Sequence, residues 1–130
     1  MKRASIATIA IFLVWTILAI LLHGKILSTT YQATAQLWRP MPEMKMGLMH
    51  LTRFLVATGF VAIYAWFIQP KSVGRGLGYG ALWGFAGGVS MGYGSYAYMP
   101  IPYHLAFAWF AGTLVTGVVA GYLVGLIVRR

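Results

Sequence analysis

The fold is decided by the stretch Gly76–Gly92, GLGYGALWGFAGGVSMG, in which a glycine recurs at every fourth position. Residues four apart lie on one face of an α-helix, so the repeat predicts a continuous groove without side chains. In lipid, helices associate where small residues let two backbones approach closely. The stretch therefore predicts a membrane-spanning helix with another helix seated in its groove. The glycines of this stripe are Gly76, Gly80, Gly84, Gly88 and Gly92.

The last apolar segment carries a second stripe with the same spacing, Thr113, Gly117, Gly121 and Gly125. Pro100 and Pro102 lie between the two segments and predict a tight turn, so the segments should form an antiparallel hairpin. We expect the two stripes to face each other within this hairpin, although either could face another subunit. A path for a small solute along the groove is the alternative interpretation.

The composition extends the membrane assignment to the whole chain. Hydrophobic residues make up 60% of the sequence and charged residues 8%, whereas about 25% charged residues is usual in soluble domains. A helix of ~20 apolar residues crosses the hydrocarbon layer. We therefore predict one all-α domain over residues 1–130, a bundle of four transmembrane helices arranged as two antiparallel hairpins. The predicted spans are Ala4–Leu22, Gly47–Ile68, Leu77–Ala97 and Ile101–Val128.

Positive charge at the ends of the spans predicts their orientation. With the N-terminus in the cytoplasm, six basic residues lie inside, against Lys25, Arg39 and Lys45 in the outer loops, with Arg53 just within the second span. This excess favours an orientation with both termini inside. The net charge of +9 is dispersed in ones and twos, which indicates lipid headgroups and no nucleic acid. The inner set is Lys2, Arg3, Lys71, Arg75, Arg129 and Arg130.

The first outer loop, residues 24–46, is long enough to hold a short interfacial helix. Ser28 or Thr29 could cap such a helix. Leu27, Tyr31 and Trp38 could then rest on the bilayer surface.

Residues that could carry chemistry are few. Glu43 is the only acidic residue and there is no cysteine, which excludes paired-carboxylate and thiol catalysis. No phosphate loop or dinucleotide fingerprint occurs, so we predict that the chain is not an enzyme. Arg53 lies about two turns inside the second span and needs a partner there. We predict an ion pair with Glu43 that pins the outer loop to the bundle; snorkelling to headgroups, or an acid of another protein, are the alternatives.

Histidines and methionines gather on the predicted outer side. His23, His50 and His104 fall at one level of the membrane, and three imidazoles there could bind copper or haem. Thioethers suit Cu(I), and the outer loop adds Met44, Met46 and Met49. The alternatives are histidines at the lipid–water interface and methionines that fill irregular packing.

The first loop also resembles a known pattern. The residues are His23-Gly24-Lys25-Ile26-Leu27, then Tyr31, then Leu37-Trp38-Arg39-Pro40, and finally Glu43-Met44. This pattern, HGxxL…Y…LWRPxxEM, resembles small uncharacterised bacterial four-helix integral membrane proteins. The resemblance covers roughly a fifth of the chain, carries no function, and implies a multi-pass protein of the bacterial inner membrane.

Three functions fit these features. The first is an accessory or structural subunit of a larger membrane complex, which packs against other integral membrane proteins and positions lipids or cofactor-bearing partners. The second is an outer-face copper or haem protein built on the histidines and methionines. The third is a small-solute carrier or channel. No cofactor is required by the first function, for which bound lipid is expected.

Overall fold

The computed structural model describes residues 1–129. Their fold is all-α, with helices joined by loops and no β-strand. Arg130, one of the residues used to predict the orientation, lies outside the described part of the chain. The α-helices are α1 (Lys2–Leu21), α2 (Ser28–Ala33), α3 (Met46–Phe67), α4 (Val73–Gly88), α5 (Ser95–Tyr98) and α6 (Tyr103–Ile127). A first π segment, Leu22–Ile26, extends α1, and a second π segment, Val89–Gly94, joins α4 to α5.

Three helical stretches are long and apolar enough to cross a membrane: Lys2–Ile26, Met46–Phe67 and Tyr103–Ile127. The stretch from Val73 to Tyr98 is also continuously helical. It is less apolar because glycine and tyrosine replace aliphatic side chains along it. The helix ends follow the sequence chemistry: Ser72 Oγ accepts the Arg75 backbone N–H at 3.1 Å to cap α4, and α6 begins directly after Pro102.

The α4–α6 hairpin is packed backbone to backbone. A Cβ added at Gly80 would lie 2.7 Å from Gly121 Cα, and one added at Gly117 would lie 2.6 Å from Gly84 Cα. Gly88 and Gly92 continue the contact toward the turn, against the backbones of Phe110 and Ala106. Both stripes are thus occupied inside this chain, and the groove holds the backbone of α6 with no room for a solute. Thr113 lies against Gly84 and Gly87 in the middle of the hairpin, and Gly76 lies against Gly121 and Gly125 at the end away from the turn.

Two apolar cores stabilise the bundle. The first lies toward the two termini and joins α1, α3 and α6 through Ile11, Phe60, Tyr64 and Val124. Phe60 also stacks on Tyr79 of α4, with ring centroids 4.5 Å apart. The second core lies at the opposite end, which we call the loop end because it holds residues 22–45 and the Met99–Pro102 turn. Its buried residues are Leu27, Ile101, Leu105, Ala106 and Trp109.

The first loop differs from its predicted form in two respects. The short helix α2 is present, but Leu27 occupies its N-cap position and no side chain caps it. Ser28 Oγ donates instead to the Lys25 carbonyl at 3.0 Å. Leu27 is buried, and Tyr31 and Trp38 pack against the second core. Apolar contact with the end of α6 therefore determines where the loop lies.

Helix α3 is packed along only half of its length. In residues 46–56, every residue except Arg53 is exposed, whereas residues 57–67 include the buried Ala57, Phe60, Val61 and Tyr64. In the C-terminal half, Phe60 contacts aromatic rings of α1 and α4, whereas the loop-end half has one such contact, from Phe54 to Phe12 of α1. The loop-end half of α3, residues 46–56, consequently stands at the surface of the chain, with Arg53 turned inward.

Candidate ligand cavity at the loop end

A cavity of about 290 Å³ lies between the loop-end parts of α1, α3 and α6 and the two π segments. Most of its lining is apolar, and Arg53 is the one basic residue of the spans that reaches it. The two π segments both contribute to its wall, the first through Leu22 and His23 and the second through Met91. The remaining lining residues are Trp15, Leu18, Ala19, Met49, Trp109, Gly112, Thr113 and Thr116.

Arg53 enters this cavity with two polar partners. Its Nη1 lies 3.4 Å from Thr16 Oγ1 and 3.3 Å from His50 Nδ1. A guanidinium only donates hydrogen bonds, so both partners accept, and the hydrogens on Nε and Nη2 are left for other acceptors. Thr16 can accept because its own hydroxyl donates to the Phe12 carbonyl at 2.8 Å. The two contacts fix the direction of the Arg53 side chain.

The predicted ion pair between Glu43 and Arg53 is not formed within residues 1–129, where Glu43 is not a hydrogen-bond partner of Arg53. The reason is the path of the chain. Glu43 ends a 3₁₀ turn, Met41–Glu43, that precedes α3. Arg53 lies about two turns further along and points toward α1.

His23 is held by a short chain of hydrogen bonds. Trp109 Nε1 donates to Tyr31 Oη at 2.7 Å, and Tyr31 Oη lies 2.6 Å from His23 Nδ1. An indole nitrogen can only donate, so the Tyr31 oxygen accepts there and its hydrogen is free for His23 Nδ1. We assign the Tyr31 hydrogen to this bond because the arrangement satisfies all three groups, and the remaining imidazole hydrogen is then on Nε2. Burial raises the pKa of the Tyr31 phenol above its usual value, so the phenol keeps its hydrogen at neutral pH.

The three histidines do not form a shared metal site. His23 binds Tyr31, His104 Nε2 lies 3.0 Å from Thr30 Oγ1, and His50 accepts from Arg53. In residues 1–129 no three histidine, aspartate or glutamate side chains meet as possible metal ligands. The structure does not bring the three imidazoles of the predicted set together in the described residues. Each imidazole instead has its own polar partner.

The methionines of the predicted copper set lie beside a second cavity. This space, about 500 Å³, lies between the first loop and the loop-end half of α3, and Met44 and Met49 line it. Arg39 and Lys45 line it as well, and their charge opposes binding of a cation. Met46 is exposed at the start of α3.

Sequence reasoning missed Trp109, which lines the first cavity, and two residues that bond to its lining, Tyr31 and Thr16. The sequence places Tyr31 in a loop and Trp109 within an apolar span, and Thr16 carries no signal in an apolar helix. The π segments left no pattern in the sequence beyond their glycines. The sequence did indicate Arg53, because a charged side chain within a membrane span is costly in free energy and needs a partner.

Comparison of the chain with protein families, curated proteins and solved structures found no match.

Proposed function

We propose that this chain is a four-span protein of the bacterial inner membrane, with both termini in the cytoplasm, that serves as an accessory subunit of a larger membrane complex. In this topology the Val73–Tyr98 stretch is the third span, and the loop end faces outward. The observation that carries the proposal is the exposed loop-end half of α3.

The unpacked surface of α3 is suited to a helix of another membrane protein. Leu48, Leu51 and Leu55 are each more than half exposed along it, and they supply the apolar contact. His50 and Thr52 are exposed beside them. Polar groups within a membrane are costly in lipid and are commonly satisfied by a neighbouring helix. A partner helix would therefore provide hydrogen-bond partners that the lipid chains lack.

The glycine stripes support the same proposal indirectly. Because α4 and α6 occupy each other's grooves, their glycine faces form a fixed support and are not available to a partner. Among the exposed surfaces we assign binding of another subunit to α3, where exposed apolar and polar side chains lie together. The partner is a transmembrane helix of a different protein, packed along residues 46–56.

Site-specific crosslinking in native membranes tests this proposal. The chain contains no cysteine, so single cysteines can be introduced without a background. We expect Leu51→Cys on α3 to crosslink to one protein of fixed mass. The matched control is Leu82→Cys, which is 72% exposed on α4 and should not crosslink to that protein.

Extraction in a mild detergent, followed by native gel separation and mass spectrometry, provides the second readout. We expect the chain to migrate with the crosslinked protein in a fixed ratio. Migration alone, together with equal crosslinking from positions 51 and 82, would overturn the proposal.

A further inference from the structure

The first cavity presents hydrogen-bond donors without an acidic residue to receive them. Arg53 offers the hydrogens on Nε and Nη2, and His23 offers the one on Nε2. Both residues line the same cavity. The only acidic residue of the chain, Glu43, does not bond to Arg53. The positive charge of Arg53 in this cavity therefore has no negative partner within residues 1–129.

Apart from the Thr113 hydroxyl, which can both donate and accept, the other polar side chains that line the cavity donate to protein groups. Trp15 Nε1 donates to the Thr116 carbonyl at 2.9 Å, and the Thr116 hydroxyl donates to the Thr113 carbonyl at 2.9 Å. Trp109 donates to Tyr31. The free hydrogen-bonding capacity is thus dominated by donors, which suits a ligand that carries acceptor oxygens and negative charge.

The rest of the wall is suited to an apolar group. Leu18, Ala19 and Leu22 of the first helical stretch line one side. A cavity of about 290 Å³ is much larger than a phosphate or carboxylate group needs, given that a water molecule takes ~30 Å³ in the liquid. A ligand that fills this space combines an oxyanion with an apolar part.

The cavity also has a route to the membrane. Met49 of α3 is 45% exposed and Met91 of the second π segment is 47% exposed, and both line the cavity. It therefore reaches the surface between α3 and the second π segment. The contacts that join α3 to α4, from Phe60 to Tyr79 and Trp83, lie further toward the termini. An amphiphile could enter sideways between Met49 and Met91.

We propose that this cavity is a binding site for the oxyanionic headgroup of an amphiphile, a phosphate or carboxylate held by Arg53 and His23. Arg53 provides the charge and a planar pair of donors, which match the geometry of an oxyanion. Tyr31 and Trp109 are positioning residues, because they act through His23. The site belongs to the isolated chain and does not depend on a partner subunit.

Tryptophan fluorescence provides a direct test, since Trp15 and Trp109 both line the cavity. The purified full chain in a neutral detergent is titrated with phosphatidylglycerol, with diacylglycerol of the same acyl chains, and with inorganic phosphate. We expect a saturable change with phosphatidylglycerol and none with diacylglycerol, which has no oxyanion. Saturation by inorganic phosphate as well would identify a free oxyanion as a sufficient ligand, whereas saturation by phosphatidylglycerol alone would identify a lipid headgroup.

Variants assign the response to the cavity. Arg53→Gln should weaken the apparent affinity for phosphatidylglycerol at least about tenfold, as expected for loss of a charge-assisted hydrogen bond. Arg75→Gln, which removes an exposed charge at the start of α4, is the matched control and should bind normally. Ala19→Leu fills the cavity while Arg53 is kept, and should also weaken binding.

Two results would overturn the site. One is the absence of a saturable change with both phosphatidylglycerol and phosphate. The other is unchanged affinity in both Arg53→Gln and Ala19→Leu, with circular dichroism showing that the variants retain their helical content. If Arg53→Gln does not fold, Ala19→Leu alone decides between the outcomes.

Discussion

The α4–α6 hairpin and helix α3 join the bundle by different means. In the hairpin, glycine lets two backbones touch, and Gly125 would bring an added Cβ within 2.8 Å of Val73 Cα. Helix α3 is held by aromatic side chains over its terminal half and is exposed over the other. Backbone contact between α4 and α6 leaves no cavity between these helices. The looser side-chain packing of the loop-end half of α3 leaves both a cavity and a charged side chain, Arg53, that lines it.

The largest effect should come from breaking the hairpin. Gly80→Val places a side chain against the backbone of Gly121, which cannot move without separating the helices. We expect the free energy of unfolding to fall by more than about 3 kcal/mol, the upper end of overpacking costs. Thermal unfolding in detergent measures the loss.

Gly78→Val is the matched control for this substitution. It lies on the same helix, and an added Cβ there meets nothing within 4 Å. Equal destabilisation by the two variants would show that helix propensity, and not backbone contact, is responsible.

A smaller effect is expected from removing the aromatic support of α3. Phe60 is fully buried and packs against Trp15, Tyr79 and Trp83. Phe60→Ala should lower the free energy of unfolding by about 2 kcal/mol, less than in a soluble core because lipid also solvates the exposed side chains. Urea does not unfold many membrane helices, so titration with a denaturing detergent is the suitable measurement.

The comparison with the other half of α3 requires a second alanine variant. Leu55 is 57% exposed on the same helix, and Leu55→Ala should leave the stability of the isolated chain nearly unchanged. A loss as large as that of Phe60→Ala would mean that residues 46–56 pack within the chain after all.

The smallest effect should come from Tyr31→Phe. The variant leaves Trp109 Nε1 without its acceptor and His23 Nδ1 without its donor. We expect a loss of about 1 kcal/mol at pH 7, the usual scale for a buried hydrogen bond. The midpoint of thermal unfolding should fall accordingly.

Alkaline pH should reduce this difference. Burial raises the pKa of the Tyr31 phenol above its ordinary value of 10.0, so the folded chain holds this proton more tightly than the unfolded chain. The contribution to stability is complete below pH 10.0 and is lost as the pH rises through the raised pKa. Wild type should therefore lose more stability than Tyr31→Phe above pH 10; parallel curves would argue against the assigned hydrogen bond.

Much of the helical arrangement could be predicted because it depends on local patterns. Apolar runs place the long helices, and the period of four in the glycines indicates which face of α4 is free of side chains. The partners of single polar groups could not be predicted in the same way. Arg53 was expected to bond to Glu43 because that is the only acidic residue, yet its direction depends on Thr16, 37 residues earlier in the chain. The hydrogen bond between Tyr31 and Trp109 joins residues 78 apart in the chain. At that separation no local sequence pattern indicates which side chains meet.

The two π segments determine where the chain can lose a residue. Each contains a turn that is wider than the turns of the neighbouring α-helices. Removal of one residue there would restore ordinary α-helical winding. Because a π turn holds one residue more than an α turn, positions on either side of the deletion would keep nearly the same direction around the axis. Only residues within the segments, such as His23 and Met91, would be displaced from the cavity that they line. Deletion of one residue in a π segment should therefore be tolerated better than deletion within α3 or α6, where every later position rotates by about 100°.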